Sequence, residues 1–364
     1  MRRQLYFLAS PALALALAGC TAMPVSSAAP QVVLVTGGGL LQAISAQSLA
    51  PRSQLRLPGP VVAATVDPAR HAWDLLTAGP QPAWQAVGAA GEHVRAALAG
   101  MQPAAMVFDP RTGMDLVVGA GAGGSGWLAR INPATGNFGA YQRLPGDPLA
   151  LALTPSGRMV LAEAHPSPRV LVQTPRGWQP VALAAPPRQL LVLPYGHKIF
   201  VLCAAKVAAI DSSIPGLLTY LPLGERPRQM LLKPDGGELY VSNAGGSVSI
   251  INTSTNEVSG TMPAGLGADA MAVTPDGSTL YVANAAAGTI TVLSLGDRSV
   301  LALVHVGERP CALALDPAGL LLFASDAGSN DIAVLRTQDA RSPNTLITLL
   351  PSPPQPGLLA VVPQ

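Results

Sequence analysis

Two stretches of this chain are near-duplicates: LYVSNAGGSVSIINTSTNEVSGTMPAG (239–265) and LYVANAAAGTITVLSLGDRSVLALVHVG (280–307). Such repetition constrains the fold more than any single residue, because each copy must be a unit that buries its apolar face against a neighbour. In the clearest unit, PRQMLLKPDG (227–236) is an apolar run ending in a Pro-Asp-Gly turn. ELYVSN (238–243) is rich in aromatic and β-branched residues, SVSIIN (247–252) alternates, and VSGTMP (258–263) follows the turn TSTNE. Four short strands separated by tight turns leave no room for a helix. Runs of the first type recur near Val61, Ala104, Leu149, Gln189, Gln229, Ala270 and Ala312, spaced 40 to 45 residues apart. A four-stranded unit of about forty residues is the period of a β-propeller blade. The 3.6-residue apolar stripe of helical repeats is missing.

The two ends complement each other. Segment 32–59 supplies strands two to four of a unit without the first, and PQPGLLAVVPQ (354–364) supplies a first strand alone. Joined, they make one blade from both termini, which closes the ring and removes the open sheet edges. The count with this composite blade is eight. PAWQAVGAAGEHVRAALAG (82–100) also reads as a short helix, and in that case the ring has seven.

LYVSN and LYVAN, each after a Pro-Asp-Gly turn, resemble the strand motif of the YVTN family of β-propellers. The resemblance is strong over 227–335 and fades toward both ends. It implies an all-β propeller of the kind found in surface and periplasmic proteins, related to the lactonase-type propellers. Its motif residues build the blade and imply no particular activity.

The opening MRRQLYFLASPALALALAGC has a basic start, an apolar stretch from Leu5 to Ala18 and a small-residue end, the layout of a secretory signal. The apolar stretch is too short to span a bilayer comfortably. Leu17-Ala18-Gly19-Cys20 resembles the bacterial lipobox, which implies acylation of Cys20 and removal of residues 1–19. Residues 20–30 then form a Ser/Ala/Pro tether and 31–364 the propeller. With Thr21 after the cysteine, the resemblance implies an outer-membrane lipoprotein facing the periplasm or the cell surface, with the membrane as a partner through Cys20. Arg2 and Arg3 carry the whole formal charge of +2; without them 20 basic residues face 20 acidic ones. Such a balance offers no footprint for nucleic acid.

Candidate functional residues cluster where the chain enters each first strand. LGERP (223–227) and VGERP (306–310) place Arg226 and Arg309 before prolines, where extended backbone would present both guanidiniums for bidentate contact with a carboxylate or phosphate. Arg188, Asp147 and Asp269 come from equivalent loops. Asn243, Asn284 and Asp326 end the second strand in three blades, with Gly37, Ala164 and Cys203 in the corresponding places elsewhere. Turn formation is their first reading and ligand contact the second. Tyr240, Tyr281 and Phe323 align as inter-blade packing. Cys203 and Cys311 read as small buried hydrophobes, with a disulfide as the alternative. His165 lies beside Glu163 on the same face as the arginines, without an evident partner.

The histidines show no metal-ligand spacing, and the entering strands offer too few carboxylates for a calcium site. GAGAGGSG (119–126) lacks the Lys-Ser/Thr of a phosphate loop. No catalytic set, metal or cofactor is therefore expected. The reading is a lipid-anchored binding or scaffold propeller that takes a protein, glycan or small-molecule ligand through one face. The alternative is a lactonase-like hydrolase using His165, Glu163, Arg226 and Arg309.

Overall fold

The repeat resolves into a closed ring. The computed structural model describes residues 31–67, 70, 72–88, 93–121, 125–224, 226–337 and 344–363; the expected signal peptide and tether, over 1–30, lie outside them. The described chain is all β and makes eight four-stranded antiparallel sheets. Seven of them use consecutive strands. Their innermost strands are Val61–Asp67, Met101–Asp109, Pro148–Leu153, Gln189–Val192, Pro227–Leu232, Ala268–Val273 and Pro310–Leu315, which define blades 1 to 7. In blade 8 the last strand, Pro356–Pro363, pairs beside the first, Gln31–Gly37, with Val32 opposite Val362 and Leu34 opposite Ala360.

Blade 1 settles the count. The segment that also reads as a helix folds as the strands Ala83–Gly88 and His93–Ala97, so the ring has eight blades. Two tryptophans decide it. Trp73 and Trp84 come from adjacent strands and are fully buried on opposite faces of the sheet, Trp73 against blade 8 and Trp84 against blade 2. Trp84 also donates from Nε1 to Asp115 Oδ2 of blade 2 at 2.7 Å. Burial raises the Asp115 carboxyl well above the ordinary carboxylate range, and the neighbouring charge of Asp74 adds to the rise. Asp74, itself fully buried, accepts from the Arg70 guanidinium at 2.8 and 2.9 Å.

The core is distributed between blades and does not fill the centre. Each of the eight apolar clusters spans one blade boundary. Tyr240 packs between blades 5 and 6, Tyr281 between 6 and 7, and Phe323 between 7 and 8, as their alignment predicts. Each such ring removes roughly 150–250 Å² from water and so contributes strongly to blade stacking. Cys203 and Cys311 are both free thiols, and burial pushes them up to about 11 and about 12.

The hairpin turns explain why the strands stop where they do. In the Pro-Asp-Gly turns, Asp235 Oδ1 accepts from the Gly237 amide and Asp276 Oδ1 from the Ser278 amide. Gly236 and Gly277 take φ of 75° and 69°, which a side chain would oppose.

Candidate functional site

Every inner strand except that of blade 4 is irregular near its start, where register skips once; in blade 2 two further pairs, Met101–Gly121 and Gln102–Ala120, precede the skip. Such a bulge leaves one residue out of the pairing and re-aims its side chain. Aligning the eight blades on this register places one equivalent residue per blade around the axis. Blades 8, 1, 2 and 3 contribute Gly357, Val62, Ala104 and Leu149; blades 4, 5, 6 and 7 contribute Arg188, Arg228, Asp269 and Cys311. All are exposed or half-exposed, whereas the prolines that precede six of them are buried. One half of the mouth is therefore apolar and the other half polar and charged.

The polar arc is electrostatically coupled. Burial raises the Asp269 carboxyl, and the positive charge of Arg228 opposes that rise. The charge of Asp269 in turn helps hold the Cys311 thiol protonated, second to burial. Arg188 acts on Cys203 in the same way with opposite sign, second to Lys206 among the charges. Two glutamines set the spacing of this arc. Gln189 accepts from the Met230 amide and donates to the Met230 carbonyl, and Gln229 accepts from the Met271 amide. Those bonds bridge blades 4 to 5 and 5 to 6.

Arg226 and Arg309 sit one step outside this ring, both exposed. Their backbone is not extended: φ is 54° at Arg226 and 56° at Arg309. The physical reason is the tight loop between blades, in which the carbonyl of each arginine accepts from the amide after the second strand, Ala244 or Ala327. Blade 6 makes the same loop bond, from Ala285 to Gly267, and there the left-handed residue is a glycine. Arginine in this conformation costs on the order of 1–2 kcal/mol over an unstrained residue. Arg188 belongs to the bulge ring, in register with Arg228 and not with Arg226 and Arg309.

Asn243, Asn284 and Asp326 are fully buried. The Asn284 side chain accepts from the Gly265 amide at 2.9 Å and donates to Thr289 and Thr291, so it ties the incoming loop to strand three. The Asn243 amide donates to Ser247 and Ser249 in the same way. In blade 3 the equivalent residue is Glu163, one place before the Ala164 expected from the sequence, since Pro148 pairs with Glu163 as Pro227 pairs with Asn243. Its buried carboxylate accepts from Arg169 Nε at 2.7 Å. Glu163 is thus committed to an internal ion pair, and the exposed His165 does not share it.

Arg228, Asp269 and Cys311 complete the polar arc with Arg188. The signal in the sequence was the residue following the proline in PRQM and PCAL, together with the Asp of ADAM. Among the described residues no three His, Cys, Asp or Glu side chains gather as a metal site. A cleft of about 300 Å³ lies at the opposite end of the ring, between the turns that carry Tyr195, Asp235 and Ser254. Lys198 closes its floor by donating to the Thr253 and Ser254 carbonyls.

Residues 246–346, the last part of blade 5 through the start of the outer strand of blade 7, match the family described as Lactonase, 7-bladed beta-propeller. No curated protein matches the chain. Among solved structures, it is similar to dihydro-heme d1 dehydrogenase NirN in complex with DHE, at TM-score 0.74 and 12% identity, over 93% of this chain and 76% of that one. AztD from Citrobacter koseri gives 0.67 at 12% identity, over 92% and 98%. Kuenenia stuttgartiensis hydrazine synthase gives 0.58 at 18% identity, over 77% and 96%. At these identities the likeness is one of fold, a β-propeller related to the lactonase type, with eight blades where that family has seven.

Proposed function

We propose that this protein is a binding propeller that captures a small anionic molecule at the ring mouth, held at the cell envelope by acylated Cys20. One observation carries the reading: the register position at the start of the inner strand, bulged in every blade but blade 4, is apolar in four consecutive blades and polar in the next four, with Arg188 and Arg228 on neighbouring blades. A carboxylate or phosphate ester would meet two guanidiniums from one side, and its hydrocarbon portion would lie against Leu149 and Val62. Arg226 and Arg309 widen the positive field. Their strained backbone supports the same reading, because strain is retained where a side chain is required. The YVTN-type repeat, the lipobox and an outer-membrane address facing the periplasm or cell surface belong to this proposal.

The test is calorimetric titration of the chain made without its lipid, using a panel of mono- and dicarboxylates and phosphate monoesters. Binding that weakens at least tenfold in both Arg188→Ala and Arg228→Ala supports the proposal. Binding indifferent to both substitutions overturns it.

The family match favours a second reading, a lactonase-like hydrolase acting in the same mouth. The Glu163–Arg169 pair leaves His165 as the nearest exposed base on that face. Turnover across a lactone panel, with and without divalent metal, that collapses in His165→Ala would establish this reading over the first.

A further inference from the structure

Three successive blades build one corner in the same way and fill it with different chemistry. In each, the last residue of strand two faces the first residue of strand three: Asn243 faces Ser247, Asn284 faces Thr289, and Asp326 faces Asp331. Blade 6 shows the neutral solution. The Asn284 amide donates to Thr289 Oγ1 at 3.0 Å and Thr291 Oγ1 at 2.8 Å, while its oxygen accepts the loop amide of Gly265. Blade 7 keeps only the last of these. Asp326 Oδ2 accepts the loop amide of Gly307 at 3.0 Å, but the two donors of the asparagine amide are gone and the third partner is Ala333.

Two oxygens are left without a donor. Asp326 is fully buried, and no donor group reaches its Oδ1 or the buried Asp331 Oδ1; the two carboxyls meet only each other, and burial together with that contact raises the Asp326 carboxyl above the ordinary carboxylate range. An unsatisfied buried carboxylate oxygen is costly, and two in contact with one corner more so. Blade 3 shows how the protein neutralises such a corner when it does so itself, by placing Arg169 on Glu163. No described basic side chain makes an ion pair with Asp326 or Asp331. The corner is also rimmed by a third oxygen. A methyl group placed on Gly307 would collide with Ser329 Oγ, Asp331 Oδ1 and Asp326 Oδ2, so three side-chain oxygens converge on the bare face of that glycine.

We infer that the corner of blade 7 is a cation site, in which an oxygen-preferring divalent ion of the calcium or magnesium class bridges Asp326 and Asp331 with Ser329 as a further oxygen ligand. Hard cations take such oxygen sets, and a site with two carboxylates and few other protein ligands fills its remaining positions with water. Asp331 is half-exposed, which leaves the ion a path from solvent. The ion would bridge from Asp326 to Asp331 as the Asn284 amide bridges to Thr289 in blade 6, and would tie the incoming loop, which carries Arg309, to strand three. The inference is independent of what the ring mouth binds.

The experiment is thermal unfolding of the chelator-treated chain titrated separately with calcium and magnesium chloride, with calorimetry on the same samples. The expected result is a saturable rise of several degrees with one of the two ions once it is about a hundredfold above its dissociation constant. The double variant Asp326→Asn with Asp331→Thr recreates the pattern of blade 6; it is expected to fold with its own cooperative transition and to ignore both ions. A wild-type midpoint that does not move with either ion at millimolar concentration overturns the inference. So does a shift of equal size in the double variant, which would put the ion elsewhere.

Discussion

Ending the chain at Gln355 tests the closure of the ring. That truncation removes the inner strand of blade 8 and with it the ladder from Val32–Val362 through Val35–Leu359. It also strips Leu358, Leu359 and Val362, all buried, from the clusters on both sides of the blade. Three large aliphatic side chains at roughly 1.5–3 kcal/mol each amount to about 5–9 kcal/mol, an upper figure because the unfolded chain already hides some of this area. A domain's whole net stability is about 5–15 kcal/mol. The truncated chain is therefore expected to lose its cooperative transition in urea, or to melt far below the full chain, and to associate through the bared edge of Gln31–Gly37 in size-exclusion chromatography. A circular permutant is the control. Gln31 and Pro363 are register partners, so a short linker joins them, and opening the chain between blades 4 and 5 leaves every sheet intact. The permutant is expected to keep the full-length midpoint to within a few degrees. A truncated chain that unfolds at the full-length midpoint would refute the closure argument.

Other expectations follow from single sites. Arg309→Gly should leave stability within about 1 kcal/mol of the parent, because relief of the left-handed strain offsets the added freedom of glycine, while anion affinity falls; denaturant melts and calorimetry check the two separately. Asp115 holds a proton in the folded ring that the unfolded chain releases near its ordinary value of 3.8. Its contribution to stability is therefore complete at low pH and is lost progressively as pH rises toward about 9. Asp115→Asn, which keeps an acceptor for Trp84, should flatten that decline and be the more stable protein at pH 8 in urea titrations. Phe323→Ala should cost roughly 3–5 kcal/mol, measured the same way, since it empties the boundary between blades 7 and 8. A cost under about 1 kcal/mol would mean that this boundary is not packed as described.

The architecture was legible because its signals are local and repeated. Alternation, turn chemistry and a forty-residue period survive in LYVSN and LYVAN, and the terminal fragments complement each other as strands. Blade 1 was ambiguous because Ala-rich strands carry weak β preference, and what makes them strands is the burial of Trp73 and Trp84 against neighbours distant in sequence. The site was less legible. Arg226 and Arg309 stood out through their shared GERP motif, yet the preproline rule gave the wrong backbone, because a loop bond formed across the blade overrides it. Arg228, Asp269 and Cys311 share no motif. They become a set only when register shows that each occupies the same bulge. Asp326 reads as a turn residue, and Asp331 carries no signal of its own, until their missing donors are compared with those of Asn284.

Eight wedges of similar outline would offer a guest on the axis eight indistinguishable azimuths. Dividing the mouth into an oily semicircle and a charged one abolishes that rotational degeneracy: a molecule with one anionic end has a single compass bearing at which both of its ends are satisfied. A pseudo-symmetric scaffold thereby acquires a handed, addressable top without altering the frame of any blade, through side chains at one position per repeat.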